Sequence, residues 1–168
     1  MAKFIKQVGG VLTEELTTGV STGVGDAGKV VNLDANGKLD TSLLPAGVGQ
    51  EYELIVASEA LAAGDFVNVY DDAGTPKVRK ADASSINTEA NGFVLAAVAL
   101  NGTATVYFEG TNNQLTGLTP GKTYFLSETS GVATLTAPST AGAIVQVVGR
   151  SAGTTKISFE PGSPIVLA

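Results

Sequence analysis

Residues 92–110 read GFVLAAVALNGTATVYFEG, and residues 143–161 read AIVQVVGRSAGTTKISFEP. Set against each other at a spacing of 51, they match Val94 with Val145, Gly102 with Gly153, Val106 with Ile157, Phe108 with Phe159 and Glu109 with Glu160. Between the matched apolar positions, Thr105/Lys156 and Tyr107/Ser158 drift toward polar. Large apolar residues therefore recur at every second position, the period of a strand with one face buried. Upstream, LAAGDFVNVYDDAGTPKVRKA (61–81) matches LTPGKTYFLSETSGVATLTA (118–137) at a spacing of 57, with Gly64 on Gly121, Gly74 on Gly131 and Val78 on Leu135. The spacing shortens by six residues from the first stretch to the second, which places a deletion in the connection between the hairpins of the second copy. Turn glycines and core residues agree together, so the chain reads as one β unit present twice, over 61–110 and 118–161.

The predicted fold is all-β: an antiparallel β-barrel or sandwich built from a duplicated hairpin unit, with an extended N-terminal arm. Short β-branched and aromatic runs bounded by Gly, Asn, Asp, Ser or Pro mark strands at 52–57, 65–70, 76–81, 92–99, 103–109, 122–127, 132–136, 143–149, 154–160 and 163–167. The expected core is Val67, Val69, Val94, Val98, Val106, Phe108, Tyr124, Leu126, Val145, Val147, Ile157 and Phe159. Asn101-Gly102 lies between two apolar runs and predicts a hairpin with a type I′ turn, which needs positive φ at both central residues. Asn36-Gly37, inside DANGKLD, predicts a second turn with short flanks.

Residues 1–50 differ from the β domain at 51–168: they are rich in Gly and Thr, poor in aromatics and without a sustained period, as an arm is. LDTSLLP (39–45) predicts a single helical turn, capped by Thr41 or Ser42 and ended by Pro45. An arm of this kind buries little surface alone and becomes ordered on a neighbour. Its apolar residues Phe4, Ile5, Val8, Val11 and Leu12 are the candidates for contact with a partner.

Charged residues are 15% of the 168, against about 25% in ordinary domains, so part of the surface is expected to be covered by other subunits. The net charge is −6, and the one basic cluster, Lys77, Arg79 and Lys80, is balanced by Asp71, Asp72 and Asp82. Attraction to nucleic-acid phosphates is not expected. The apolar residues after Lys3 and Lys6 are broken by Gly9, Gly10, Thr13, Glu14 and Glu15, which argues against a signal peptide. The longest apolar run, Phe93 to Leu100, is far below the ~18 residues of a membrane span, so a soluble protein is expected.

Histidine and cysteine are absent, which removes Ser-His-Asp and Cys-His chemistry, disulfides and the usual zinc sites. No cofactor is expected and the chain does not read as an enzyme. A carboxylate pair could still hydrolyse a glycoside. Asp71-Asp72 instead opens a turn (DDAG), and Glu109 and Glu160 occupy equivalent strand ends in the two copies. Asp34, Asn36 and Asp40 resemble a calcium loop poorly, with Gly37 at the wrong position. Gly23, Gly25 and Gly28 lack the strand-loop-helix setting of a nucleotide loop. Tyr52, Tyr70, Tyr107 and Tyr124 could form a sugar-stacking surface, although tyrosines on strands more often serve packing.

The stretch GVGDAGKVVNLDANGKLDTSLLP, from Gly23 to Pro45, resembles a segment that recurs near the amino-terminal parts of phage fibre and head-decoration proteins. The rest of the chain, with ASEALAAGDFVNVYDDAG, GFVLAAVA, ATVYFEG, LTGLTPGKTYFLSETSG and VQVVGRS, resembles the small β domains attached to phage heads and fibres. These stretches cover about three quarters of the chain but are low in complexity. The resemblance is to bacteriophage capsid decoration or cement (head fibre-like) proteins. It implies a virion protein, usually a homotrimer, that binds the major capsid protein on the capsid exterior and decorates or cements it. The alternative is a tail or head fibre module for host-surface adhesion, with a host glycan as ligand.

Overall fold

In KFIKQVGGVLTEEL (3–16) apolar residues fall at both odd and even positions around a central Gly-Gly. In the computed structural model, which describes residues 3–44 and 51–168, this stretch is a hairpin of β1 (Lys3–Val8) and β2 (Val11–Leu16). Gly9 and Gly10, at φ 59° and 84°, supply the positive values that a two-residue turn needs, and Val8 pairs with Val11 to close it. The arm thus begins with a hairpin that alternation could not reveal, because neither face is polar throughout. Further along, Thr18 bridges Val31, and short 3-10 turns occupy Val24–Asp26 and Thr41–Leu43. The expected turn at Asn36-Gly37 forms without flanking strands: Gly37 N–H donates to Asp34 O (3.1 Å), and Asp34 Oδ1 accepts from the N–H groups of Asn36 and Lys38 (2.8 Å each). Asp40 Oδ1 accepts the N–H of Ser42, while the Ser42 hydroxyl accepts from Ser21 N–H. Pro45, expected to end that turn, lies outside the described residues. Residues Met1–Gly49 form one unit and Gln50–Ala168 another.

The second unit is all-β. Strands β3 (Tyr52–Ala57), β4 (Phe66–Asp72), β5 (Thr75–Lys80), β6 (Gly92–Val94) and β7 (Thr103–Tyr107) close a barrel in the order β3-β5-β4-β6-β7. All neighbours are antiparallel except β3 and β5, which run parallel through Val56↔Lys77 and Ala57↔Val78. The two-residue turn of positive φ lies between β4 and β5, at Ala73 (53°) and Gly74 (86°), and Asp71 Oδ1 accepts Gly74 N–H there. After it come β8 (Gly110–Asn112), β9 (Thr123–Leu126), β10 (Ala133–Thr134), β11 (Ile144–Val145), β12 (Val147–Ser151), β13 (Ile157–Phe159) and β14 (Ile165–Val166). Five of them form an open sheet in the order β10-β9-β12-β13-β8, and β11 pairs with β14.

The two sheets correspond strand for strand: β5-β4-β6-β7-β3 in one, β10-β9-β12-β13-β8 in the other. The repeated unit therefore has five strands, because β8 takes the place of β3. Gly64 N–H donates to Val94 O and Val94 N–H to Asp65 O; likewise Gly121 N–H donates to Ser151 O and Ser151 N–H to Lys122 O. Phe93 faces Tyr107 on β7, and Arg150 faces Ser158 on β13. Val94 is therefore equivalent to Ser151 and Gly92 to Gly149, not to Val145 and Ala143 as sequence matching suggested. The six missing residues fall between the third and fourth strands of the unit, where the eight-residue stretch 95–102 of the first copy is cut short. A Cβ on Gly92 would come within 2.6 Å of Tyr107 O, and one on Gly149 would collide with the equivalent Ser158 O. Chain-to-chain approach at the same point of each unit requires glycine.

The eight-residue stretch also explains why the Asn101-Gly102 hairpin does not form. β6 stops at Val94; Val98 and Leu61 exchange two hydrogen bonds of 2.9 Å, and Ala57 bonds Gly102 O and Asn101 N–H. Asn101 alone takes positive φ (64°), and the turn is closed by Gly102 N–H on Ala99 O. Ladder partners on the 57–61 segment thus outcompete the local two-residue turn.

Two apolar clusters result. One fills the barrel with Ile55, Ala57, Leu61, Val67, Val78, Val94, Ala104 and Val106. The other lies between barrel and open sheet and joins Phe66, Ala81, Ala83, Ala90 and Phe93 to Leu118, Tyr124, Leu126, Ile144, Val148, Ile157 and Phe159. Phe159 packs against Phe66 (centroids 5.9 Å) and edge-on to Phe93 (5.5 Å). Val69, Val98 and Phe108, expected in the core, are partly buried at its margin. Val145 and Val147 are only half-buried; Ile144 and Val148 are inside instead. The register slips between Val147 and Gly149, so Val148 is an extra residue that reverses the alternation. The buried amides of Gln146 and Asn112 are bonded: Gln146 Oε1 accepts Ala90 N–H (2.8 Å) while its Nε2 donates to Ala90 O (3.0 Å), and Asn112 Nδ2 donates to Gly64 O (2.8 Å).

Urea unfolding of two variants checks this packing. Phe159→Ala should lose about 3–5 kcal/mol by opening a cavity between the two sheets. Gly149→Ala should lose about 3 kcal/mol from strain at φ 145° and overlap with Ser158. A loss under about 1 kcal/mol in either would contradict it.

Candidate interaction surface

The five residues expected to meet a partner all lie on the β1–β2 hairpin, but its register divides them. Phe4, Val8 and Val11 share one face, with Lys6, Thr13 and Glu15; Ile5 and Leu12 occupy the other, with Lys3, Glu14 and Leu16. Ile5 and Leu12 are 72% and 70% exposed, Val8 and Val11 54% and 63%, and Phe4 is half-buried. Each face carries one ion pair, Lys3–Glu14 on one and Lys6–Glu15 (3.1 Å) on the other. Exposed pairs of this kind contribute at most about 1 kcal/mol, and they leave each face neutral. A two-stranded ribbon with apolar side chains on both sides is marginal alone, and its chemistry suits burial on both sides.

A second apolar surface, not expected from the sequence, lies on the barrel. On β3, Ile55 and Ala57 point inward while Tyr52, Leu54 and Val56 point outward and stay exposed, Leu54 by 64%. Beside them on β7 stand Tyr107, Thr105 and Thr103. A shallow groove of about 220 Å³ continues past β7, bordered by Leu95, Ala96, Ala97 and Val98. The signal was the unbroken apolar run LIVA (54–57), since a strand apolar on both faces is one covered on both faces.

The other motifs are locally accounted for. Tyr124 is buried and its hydroxyl accepts Thr119 N–H (2.8 Å); Tyr107 stacks on Phe93 (5.6 Å); Tyr70 lies under the Arg79 guanidinium (4.5 Å); Tyr52 is exposed beside Tyr107. The four do not form one stacking surface. Asp71 is held by its turn, Asp72 by Lys77, and the Lys77 ammonium is raised in pKa by that carboxylate. Glu160 is exposed at the end of β13, and Glu109 follows β7. Among the described residues no group of three or more acidic side chains is placed to hold a metal ion.

In the first unit three carboxylates are tied to the chain. Asp26 is lowered to about 2 by hydrogen bonds from Lys29 and from the N–H and hydroxyl of Thr22. Asp34 is lowered by the backbone N–H groups of Lys38 and Asn36, and Asp40 by its hydrogen bonds with Ser42. These carboxylates fasten loops rather than offer oxygens to a ligand. No protein-family model matches the chain, and no curated protein matches it.

A lowered pKa contributes stability that is present above the carboxyl's ordinary value of 3.8 and is lost as pH falls through the folded value. The Thr22–Asp26 loop should therefore hold its order at pH 5 and lose it between about pH 4 and 2. The Thr22 amide resonance, followed by NMR against pH, should move with a midpoint near 2; a midpoint near 4 would show that Lys29 and Thr22 do not hold the carboxylate.

Proposed function

We propose that this chain is a bacteriophage virion structural protein that binds the outside of the capsid, associates with identical copies, as a homotrimer, and decorates or cements the shell through the major capsid protein. The observation that carries the reading is the hairpin at the head of the arm, whose exposed Ile5, Val8, Val11 and Leu12 lie on two opposite faces. Such a ribbon fits between neighbours better than on one flat surface. The resemblance of Gly23 to Pro45 to the arms of phage decoration and fibre proteins supplies the setting.

Chemistry and charge agree with a binding role. A chain without histidine or cysteine, with only 15% charged residues, has little means of reaction but much uncharged surface to bury. Repeated around a symmetric particle, individually weak apolar contacts add up through effective concentration. The host-adhesion alternative draws on the tyrosines, and these are distributed among separate packing roles.

Removing residues 1–25 should abolish binding to undecorated capsids, read by sedimentation, while the barrel's circular dichroism stays unchanged. Ile5→Glu with Leu12→Glu, and separately Val8→Glu with Val11→Glu, should each weaken binding by about ten-fold or more if both faces are covered. Unchanged occupancy would take the arm out of the mechanism, and a purified protein of strictly monomeric mass would count against self-association.

A further inference from the structure

The barrel wall is sealed only in part. Between β3 and β5 the ladder has two rungs, Val56↔Lys77 and Ala57↔Val78, and does not continue toward the start of either strand. Pro76 is the reason. The two-residue turn makes Asp72 and Thr75 the hydrogen-bonded closing pair of β4 and β5, so at the next pair, Asp71↔Pro76, the β5 backbone faces away from β4 and toward β3. The same parity is seen at Val78, whose carbonyl accepts Ser58 N–H from the chain after β3. Position 76 would give the next N–H to β3, and proline has none.

A groove of about 460 Å³ opens where the seam stops. Ile55, Val69 and Phe108 line it on the interior side, Leu54 and Pro76 form its walls, and Glu51 and Glu53 stand exposed at its rim. The nearest cation on β5, Lys77, is already engaged by Asp72. The site therefore combines an unsealed strand edge, an apolar floor the width of a side chain or two, and two carboxylates that, among the described residues, take no part in the barrel's ion pairs, Lys77 with Asp72 and Lys80 with Asp65.

We infer that this groove takes an extended segment of a partner protein in which an apolar residue is followed two positions on, and so on the same face, by lysine or arginine. The segment adds along the free part of the β3 edge, sets an apolar side chain over Val69 and Phe108, and brings its cation to Glu51 and Glu53. Main-chain pairing supplies affinity, and the floor and rim supply selectivity. The inference concerns the barrel alone and does not require the arm or a virion setting.

The test titrates the isotopically labelled full chain with the synthetic hexapeptide acetyl-Thr-Val-Thr-Lys-Thr-Lys-amide, whose valine and lysines share one face when extended, and with its counterpart carrying glutamate for lysine, following amide resonances. The lysine peptide should shift Leu54, Val56, Val69 and Phe108, and the glutamate peptide should not. Glu51→Gln with Glu53→Gln, both at exposed positions, should weaken the lysine peptide by about ten-fold. Pro76→Thr restores an N–H facing β3; it should lengthen the ladder to Leu54, raise the thermal midpoint and abolish peptide binding. No shifts at millimolar peptide, equal shifts by both peptides, or undiminished binding by both variants would overturn the inference.

Discussion

Everything in the second unit depends on covering strands that are apolar on both faces. In a five-stranded barrel one face of each strand fills the interior, and Val67, Val94 and Val106 do so here. The outward residues Phe66 and Phe93 then need a second cover, and the open sheet supplies it by inserting Phe159 between them. Side chains of this size dominate core energetics, so the closed barrel and the open sheet are held as one body by a cluster that neither could bury alone. Gln146 and Asn112 add bonds across the same junction, where their unpaired polar atoms would otherwise be costly.

The same strand order gives a closed barrel in one copy and an open sheet in the other. β3 has six residues and reaches β5; β8 has three and does not reach β10. Six residues are missing between the third and fourth strands of the second copy, and an extra residue at Val148 bends β12. Length, rather than pattern, decides whether the sheet can curl back on itself. Both copies keep the glycine at the closest approach of two strands, Gly92 and Gly149.

Where no second copy covers an outward apolar face, its apolar side chains stay exposed. The outer side of β3 is one such place and the two-faced hairpin of β1 and β2 is another. The ion pairs Lys3–Glu14 and Lys6–Glu15 leave both faces of the hairpin without net charge, so burying either would be driven by desolvation of its apolar side chains. Asp26, Asp34 and Asp40 are bonded within their own loops, whereas Glu14 and Glu15 stand on the hairpin faces paired with Lys3 and Lys6.

The all-β class, the position of most strands and the cores around Val67, Val94, Val106, Ile157 and Phe159 were legible in the sequence, because alternation and turn residues are local consequences of strand geometry. The hairpin at residues 3–16 was not, since a ribbon apolar on both faces has no period to detect. Tertiary structure alone decided the equivalence of Gly92 with Gly149, the inward turn of Ile144 and Val148 in place of Val145 and Val147, and the loss of the Asn101-Gly102 turn to pairing with Leu61. These are outcomes of competition between distant strands for the same backbone hydrogen bonds, and local sequence specifies only one of the competitors. The five arm residues were found as apolar and available from sequence; their division between two faces follows from cross-strand register, which exists only once the chain has folded back.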